Sequence, residues 1–125
     1  SLDFLHKRRK IMMSYEKLDV YQLSIKYLSC SIKIIKDLPK GHADLANQIK
    51  RASISIPLNI GEGAGKRSKA YSRKYFDIAR GSAMECAAAL DVCSVLEILS
   101  EKDKVESKQL LHRIVAMLTK LSHSI

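Results

Sequence analysis

Residues 18–38 read LDVYQLSIKYLSCSIKIIKDL, and the apolar positions Leu18, Tyr21, Ile25, Leu28, Ile32 and Ile35 step by 3, 4, 3, 4 and 3. This repeat draws one continuous seam along a long helix, with Lys26, Lys33 and Lys36 lying off it. The helix is predicted to stop near Leu38, because Pro39 disfavours helical geometry in the residue before it and Gly41 follows.

The same spacing recurs downstream. From about Ala43, residues Leu45, Ile49, Ala52, Ile56 and Ile60 share one face. Pro57 lies inside that stretch, where it removes a backbone donor and crowds the Ser53 carbonyl, so a kink rather than a stop is expected. Gly61, Gly63 and Gly65 are then expected to end the helix. A third helix is predicted from about Lys69 to Leu99, with a seam of Tyr75, Ala79, Ser82, Cys86, Ala89, Cys93 and Leu96 and with Phe76, Ala83 and Leu90 beside it. Ser68 is its expected N-cap, but Tyr71 three residues on rules out a capping box. A last helix is predicted over about Lys104 to Ser122, with Leu111, Ile114, Leu118 and Leu121 on one face. The short polar link Ser100 to Asp103 suits antiparallel neighbours. No segment alternates as a half-buried strand would. The expected fold is all-α: an antiparallel, up-down-up-down four-helix bundle with long helices.

The chain has 125 residues, 46% of them hydrophobic and 28% charged, which is the composition of one globular domain. No apolar run approaches the ~20 residues a membrane-spanning helix needs. Cys30, Cys86 and Cys93 are an odd set without a close pair, which argues against a secreted disulfide scaffold and for a reduced, cytoplasmic protein. The net charge of +9 is unevenly spread. Residues 50–80 carry eight cations against Glu62 and Asp77, net +6, whereas residues 85–106 carry six carboxylates against Lys102 and Lys104, net −4. The leader over residues 1–13 adds four cations against Asp3. Segregation of this kind lets a local field steer a polyanion to one face.

The glycine-rich stretch Gly61 to Ser68 does not make a nucleotide phosphate loop. Ile60 stands where the first glycine belongs, Arg67 stands where the magnesium-binding hydroxyl belongs, and a helix rather than a strand precedes it. Lys66, Arg67 and Lys69 at the start of the third helix can still meet a phosphate, since the free amides and the helix dipole there favour an anion. Arg73 and Lys74 extend that surface by one turn. Cys86 and Cys93 fall on the apolar seam and read as core thiols, and His42 and His112 lie on other elements, so no metal site is expected. No serine sits in a nucleophile elbow, and enzymatic activity is the least expected class. There is no Trp, and Tyr15, Tyr27 and Tyr71 are the aromatics left over for stacking. Phosphate and shape contacts to a structured nucleic acid are therefore expected over base readout.

Several blocks carry a family resemblance. These are Leu18-Asp19-Val20-Tyr21-Gln22, Leu38-Pro39, Gln48-Ile49-Lys50-Arg51-Ala52, Ser55-Ile56-Pro57, Asn59-Ile60-Gly61-Glu62-Gly63 with Ser68, and Ile78-Ala79-Arg80-Gly81-Ser82-Ala83 with Glu85. With them the chain resembles the small bacterial four-helix-bundle proteins encoded in intervening sequences of 23S rRNA genes, over Tyr15 to about Leu121. It is also similar to the accessory variability determinant of diversity-generating retroelements, a basic pentamer that binds nucleic acid and a reverse transcriptase. Gly61 departs from the pattern, where Ala is more usual, and loosens the end of the second helix. The resemblance implies a homopentameric ring without established enzymatic activity.

The expectations are then as follows. A basic leader over 1–13, non-native or disordered because Met12 or Met13 looks like a natural start, precedes a bundle over 14–125. Lys50, Arg51, Lys66, Arg67, Lys69, Arg73 and Lys74 contact nucleic acid, ribosomal RNA or another structured form. Asn59, Glu62, Gly63 and Ser68 hold the corner between the second and third helices, with Glu62 in a salt bridge. No cofactor, metal, membrane or small-molecule substrate is expected, and the partners are further copies of the chain and nucleic acid. The competing expectation is an oligomeric protein-binding scaffold whose oppositely charged patches pair between subunits.

Overall fold

The computed structural model describes residues 14–124, so the expected basic leader lies outside the described residues. A short 3₁₀ turn, Ser14–Lys17, leads into four helices: α1 (Asp19–Asp37), α2 (Ala43–Ala64), α3 (Lys69–Val95) and α4 (Glu101–His123). No strand occurs among the described residues. α1 and α3 each pack on both α2 and α4, which makes a four-helix bundle with α1 and α3 on one diagonal. No helix among the described residues is long and apolar enough to cross a membrane.

α1 turns a different face inward from the one its sequence advertises. The buried positions are Val20, Leu23, Ser24, Tyr27, Ser31 and Ile34, while the predicted seam is at most half-buried and Ile32 is 38% exposed. The core accepts serines here because their hydroxyls find partners. Ser31 Oγ lies 2.7 Å from Ser53 Oγ on α2, and Ser53 Oγ lies 3.6 Å from Cys86 Sγ on α3. Ser24 bonds the Tyr21 carbonyl of its own helix at 2.6 Å. Tyr27 is fully buried beside this chain of polar atoms, and no group among the described residues meets its hydroxyl in hydrogen-bonding geometry.

α2 runs through Pro57 without a break, burying Ile49, Ala52, Ser53, Ile56, Pro57, Ile60 and Gly63. It also continues through Gly61 and Gly63 to Ala64, beyond the expected end, and Gly65 closes it by donating to Gly61 and Glu62 carbonyls at 3.2 Å. On α3 the core is Phe76, Ala79, Ala83, Cys86, Ala89, Leu90 and Cys93. Tyr75 and Ser82 are only half-buried, and Leu96 is exposed. α3 ends at Val95, four residues before the expected Leu99. The Ile98 amide donates to the Cys93 carbonyl at 3.1 Å, and Glu97 adopts a left-handed φ of 58°. This is the Schellman closure. Ile98 packs on the small cluster of Ile49, Ala89 and Cys93, which draws the chain inward at that point. The link to α4 is correspondingly Leu96 to Ser100, and α4 begins at Glu101 rather than Lys104. Ser100 is its N-cap, its side chain accepting from the Asp103 amide at 3.1 Å.

Candidate nucleic-acid interface

The corner between α2 and α3 depends on one close approach. A Cβ added to Gly63 would lie 2.7 Å from a ring carbon of Phe76 and 3.2 Å from the Ser72 carbonyl, so only glycine lets α3 come this near. Ser72 Oγ donates to the Gly63 carbonyl at 2.8 Å and ties the first turn of α3 to the end of α2. Ser68 stands at the N-cap in an extended conformation, but its side chain makes no capping bond. Asn59 acts one turn below the corner. Its amide donates to the Ser55 carbonyl and hydroxyl at 2.8 and 2.9 Å, and Ser55 in turn meets Ser82 of α3 at 2.8 Å. The corner is thus held by Gly63, Phe76 and Ser72, and sequence reasoning passed over the last two for this role.

Five of the seven expected contact residues gather here. Lys66, Arg67, Lys69, Arg73 and Lys74 are all exposed around the loop and the first turns of α3. Lys66 Nζ lies 3.2 Å from Glu62 Oε2, the ion pair expected for Glu62, and 5.0 Å from the centre of the Tyr75 ring. Lys74 Nζ lies 5.9 Å from the same ring. The half-buried ring draws two ammonium groups toward one spot, each attraction worth about 0.5–1 kcal/mol when exposed. Solvent-exposed ion pairs such as Lys66–Glu62 contribute roughly 0–1 kcal/mol, so a phosphate can displace the carboxylate at little cost. Lys50 and Arg51 are exposed but lie apart: Arg51 precedes Ala64 by 13 residues, roughly 20 Å along α2.

A groove of about 520 Å³ between α3 and α4 continues the basic surface and was not legible from the sequence. It is lined by Arg73, Asp77, Arg80, Thr119, Ser122 and His123. Arg80 Nε donates to Thr119 Oγ1 at 2.8 Å, and Ser122 Oγ donates to Asp77 at 2.9 Å. These pairs are 39 and 45 residues apart in sequence, so no local pattern reveals them. A second groove of about 820 Å³ between α1 and α4 is lined by Lys26, Lys104, Lys108, His112 and Arg113 around Cys30 and Leu110. Lys108 is already held by Asp91 at 2.7 Å, and this hydrogen bond lowers the Asp91 carboxyl below its ordinary value.

The aromatic expectations change. Tyr27 is in the core and cannot stack on a base, and Tyr15 packs edge-on against Tyr21 with ring centres 4.9 Å apart. Tyr71, 58% exposed, is the one of the three that remains open beside the cations. Cys86 and Cys93 are buried and Cys30 is half-buried, all three as free thiols, and burial raises both core thiols above their ordinary value.

Fold and site together define an all-helical bundle with a cationic corner and no strand-borne nucleotide loop. Residues 16–120 match the family model of the 23S rRNA-intervening sequence protein, and the chain belongs to that family. Among curated proteins, none matches the chain.

Proposed function

We propose that the protein is a non-enzymatic, ring-forming bundle that binds structured RNA, ribosomal RNA foremost, through phosphate contacts at the α2–α3 corner. The observation that carries this reading is the gathering of Lys66, Arg67, Lys69, Arg73 and Lys74 at one corner, with Lys66 and Lys74 drawn to the Tyr75 ring. Membership of a family named for 23S rRNA supports the choice of RNA. The amides at the start of α3, left uncapped by Ser68, add donors aimed at the same place. Arg80 and His123 extend the surface over the α3–α4 groove. Contacts of this sort follow backbone geometry and discriminate duplex shape rather than sequence.

The test is a titration of the full chain against a structured ribosomal RNA fragment at several salt concentrations. Affinity should fall steeply with salt, with a log–log slope near −0.9 per phosphate neutralised for a duplex such as B-DNA. The combined variant K66A/R67A/K69A/K74A should flatten the slope by roughly three to four units on that scale. Lys104→Ala and Arg113→Ala, in the other groove, should leave it unchanged. Absence of binding at low salt overturns the proposal in favour of the scaffold reading.

A further inference from the structure

Among the described residues that line the α3–α4 groove, Asp77 is the one carboxylate, set beside Arg73, Arg80 and His123. A surface that only gathers phosphates gains nothing from an anion in its midst, because like charge repels the backbone it is meant to hold. The ordinary account of such a carboxylate is an ion pair along its own helix. Arg73 stands four residues before it and Arg80 three after, both at the right spacing. The structure gives Asp77 a neutral partner instead. Its Oδ1 accepts from the Ser122 hydroxyl of α4 at 2.9 Å, which fixes the carboxylate while the residue stays exposed to the groove.

Arg80 is fixed by a parallel device. Its Nε donates to Thr119 Oγ1 at 2.8 Å, and that hydroxyl donates in turn to the Val115 carbonyl at 2.8 Å. A bond at Nε leaves the terminal nitrogens of the guanidinium for a phosphate, which they grip through parallel hydrogen bonds. The groove thus holds an oriented acceptor next to an oriented phosphate clamp, each steadied by a hydroxyl of α4.

An RNA strand offers that pair of partners side by side. Each ribose carries a 2′-hydroxyl, a donor, close to the phosphates that flank it, and in an A-form duplex these hydroxyls line the wide, shallow minor groove. Arg73, Asp77 and Arg80 share one face of α3 and span about 10 Å by helical rise. Cation, carboxylate and cation follow each other there as phosphate, hydroxyl and phosphate do along the strand. On DNA the carboxylate meets no donor, and only the repulsion remains.

We infer that Asp77 is the residue by which this groove selects ribose over deoxyribose, accepting from a 2′-hydroxyl while the arginines hold the neighbouring phosphates. The inference rests on the nucleic-acid reading above and adds a choice of sugar to its phosphate contacts.

Binding of the full chain to three duplexes of one sequence tests it: RNA, its 2′-fluoro analogue, which keeps the A-form but cannot donate, and DNA. Wild type should bind RNA about tenfold more tightly than the 2′-fluoro duplex, the worth of one hydrogen bond to a charged acceptor. Asp77→Ala should bring those two affinities within about twofold of each other and raise the affinity for DNA. Asp77→Asn, which keeps an accepting oxygen without the charge, should retain part of the preference. Asp77 is open to solvent, so neither substitution disturbs the core. Equal wild-type affinities for RNA and 2′-fluoro RNA, or a preference that survives Asp77→Ala, overturn the choice of sugar and leave phosphate binding standing. Absence of binding to every duplex at low salt overturns both.

Discussion

Gly63 concentrates most of the corner's geometry in one missing methyl group. With a Cβ there, either the Phe76 ring leaves its place in the core or α3 moves away from α2, and the Ser72 bond to the Gly63 carbonyl is lost in the second case. Gly63→Ala should therefore destabilise the bundle by about 1–3 kcal/mol, the usual cost of forcing extra volume into a packed site. Urea unfolding of the variant measures it. Adding Phe76→Leu should recover part of the loss, because the clash is with the ring itself; equal and additive losses would place the strain elsewhere. The corner was half legible from sequence. Glycines after a helical seam announce a turn, but the need for glycine at position 63 in particular arises from Phe76, thirteen residues later, and only packing reveals it.

Among the elements, the two serines at helix starts illustrate how a local signal and its use can part. Ser100 and Ser68 both precede a helix in an extended conformation, yet only the Ser100 side chain accepts a bond from its helix. Ser100→Ala should cost about 1 kcal/mol in thermal or urea unfolding, and Ser68→Ala close to nothing. Comparable losses at both sites would mean that Ser68 caps α3 in solution. The number and order of the helices, and the hand-overs from α1 to α2 and from α2 to α3, were readable from heptad spacing together with Pro39, Gly41 and Gly65. The inward face of α1 was not. Hydrophobicity favours the stripe containing Ile25, Leu28 and Ile32, but the core takes the stripe containing Ser24, Tyr27 and Ser31, because Ser31 meets Ser53 and the tyrosine ring fills the centre. Periodicity counts apolar side chains and is blind to polar ones that satisfy each other across helices. The end of α3 was misplaced for a related reason: nothing before Glu97 resembles the glycine that such a closure favours.

Across the whole molecule, charge is distributed along the bundle axis. The loop at the end of α2, the first turns of α3 and the last turn of α4 are basic, while Glu97, Glu101 and Asp103 cluster where α3 passes to α4. The net +6 of residues 50–80 thus divides between the corner, the α3–α4 groove and the separate pair Lys50 and Arg51. The pH dependence of stability follows from the core. Tyr27, Cys86 and Cys93 are raised above their ordinary values chiefly by burial, which disfavours their ionised forms. Below the ordinary thiol value of 9.0 the thiols are neutral in both folded and unfolded chains and stability is level with respect to them. Above it the unfolded chain ionises first, so stability is lost as pH rises toward the folded values. Urea midpoints under reducing conditions should therefore fall as pH rises past about 9, and less steeply for Cys86→Ala. A midpoint that stays flat there in the wild type would contradict the burial of these groups.

The contact between Ser31 and Ser53 has an evolutionary corollary. Each hydroxyl answers the other inside an apolar interior, so replacing Ser53 alone leaves Ser31 stranded and replacing Ser31 alone leaves Ser53 only its longer contact to Cys86, whereas exchanging both for small apolar residues removes the debt entirely. The two positions are therefore coupled in inheritance: descendants of this chain should keep both serines or lose both, with single losses rare. Cys86, joined to Ser53 at 3.6 Å, stands at the edge of that pair and is free to drift toward other small residues without breaking it.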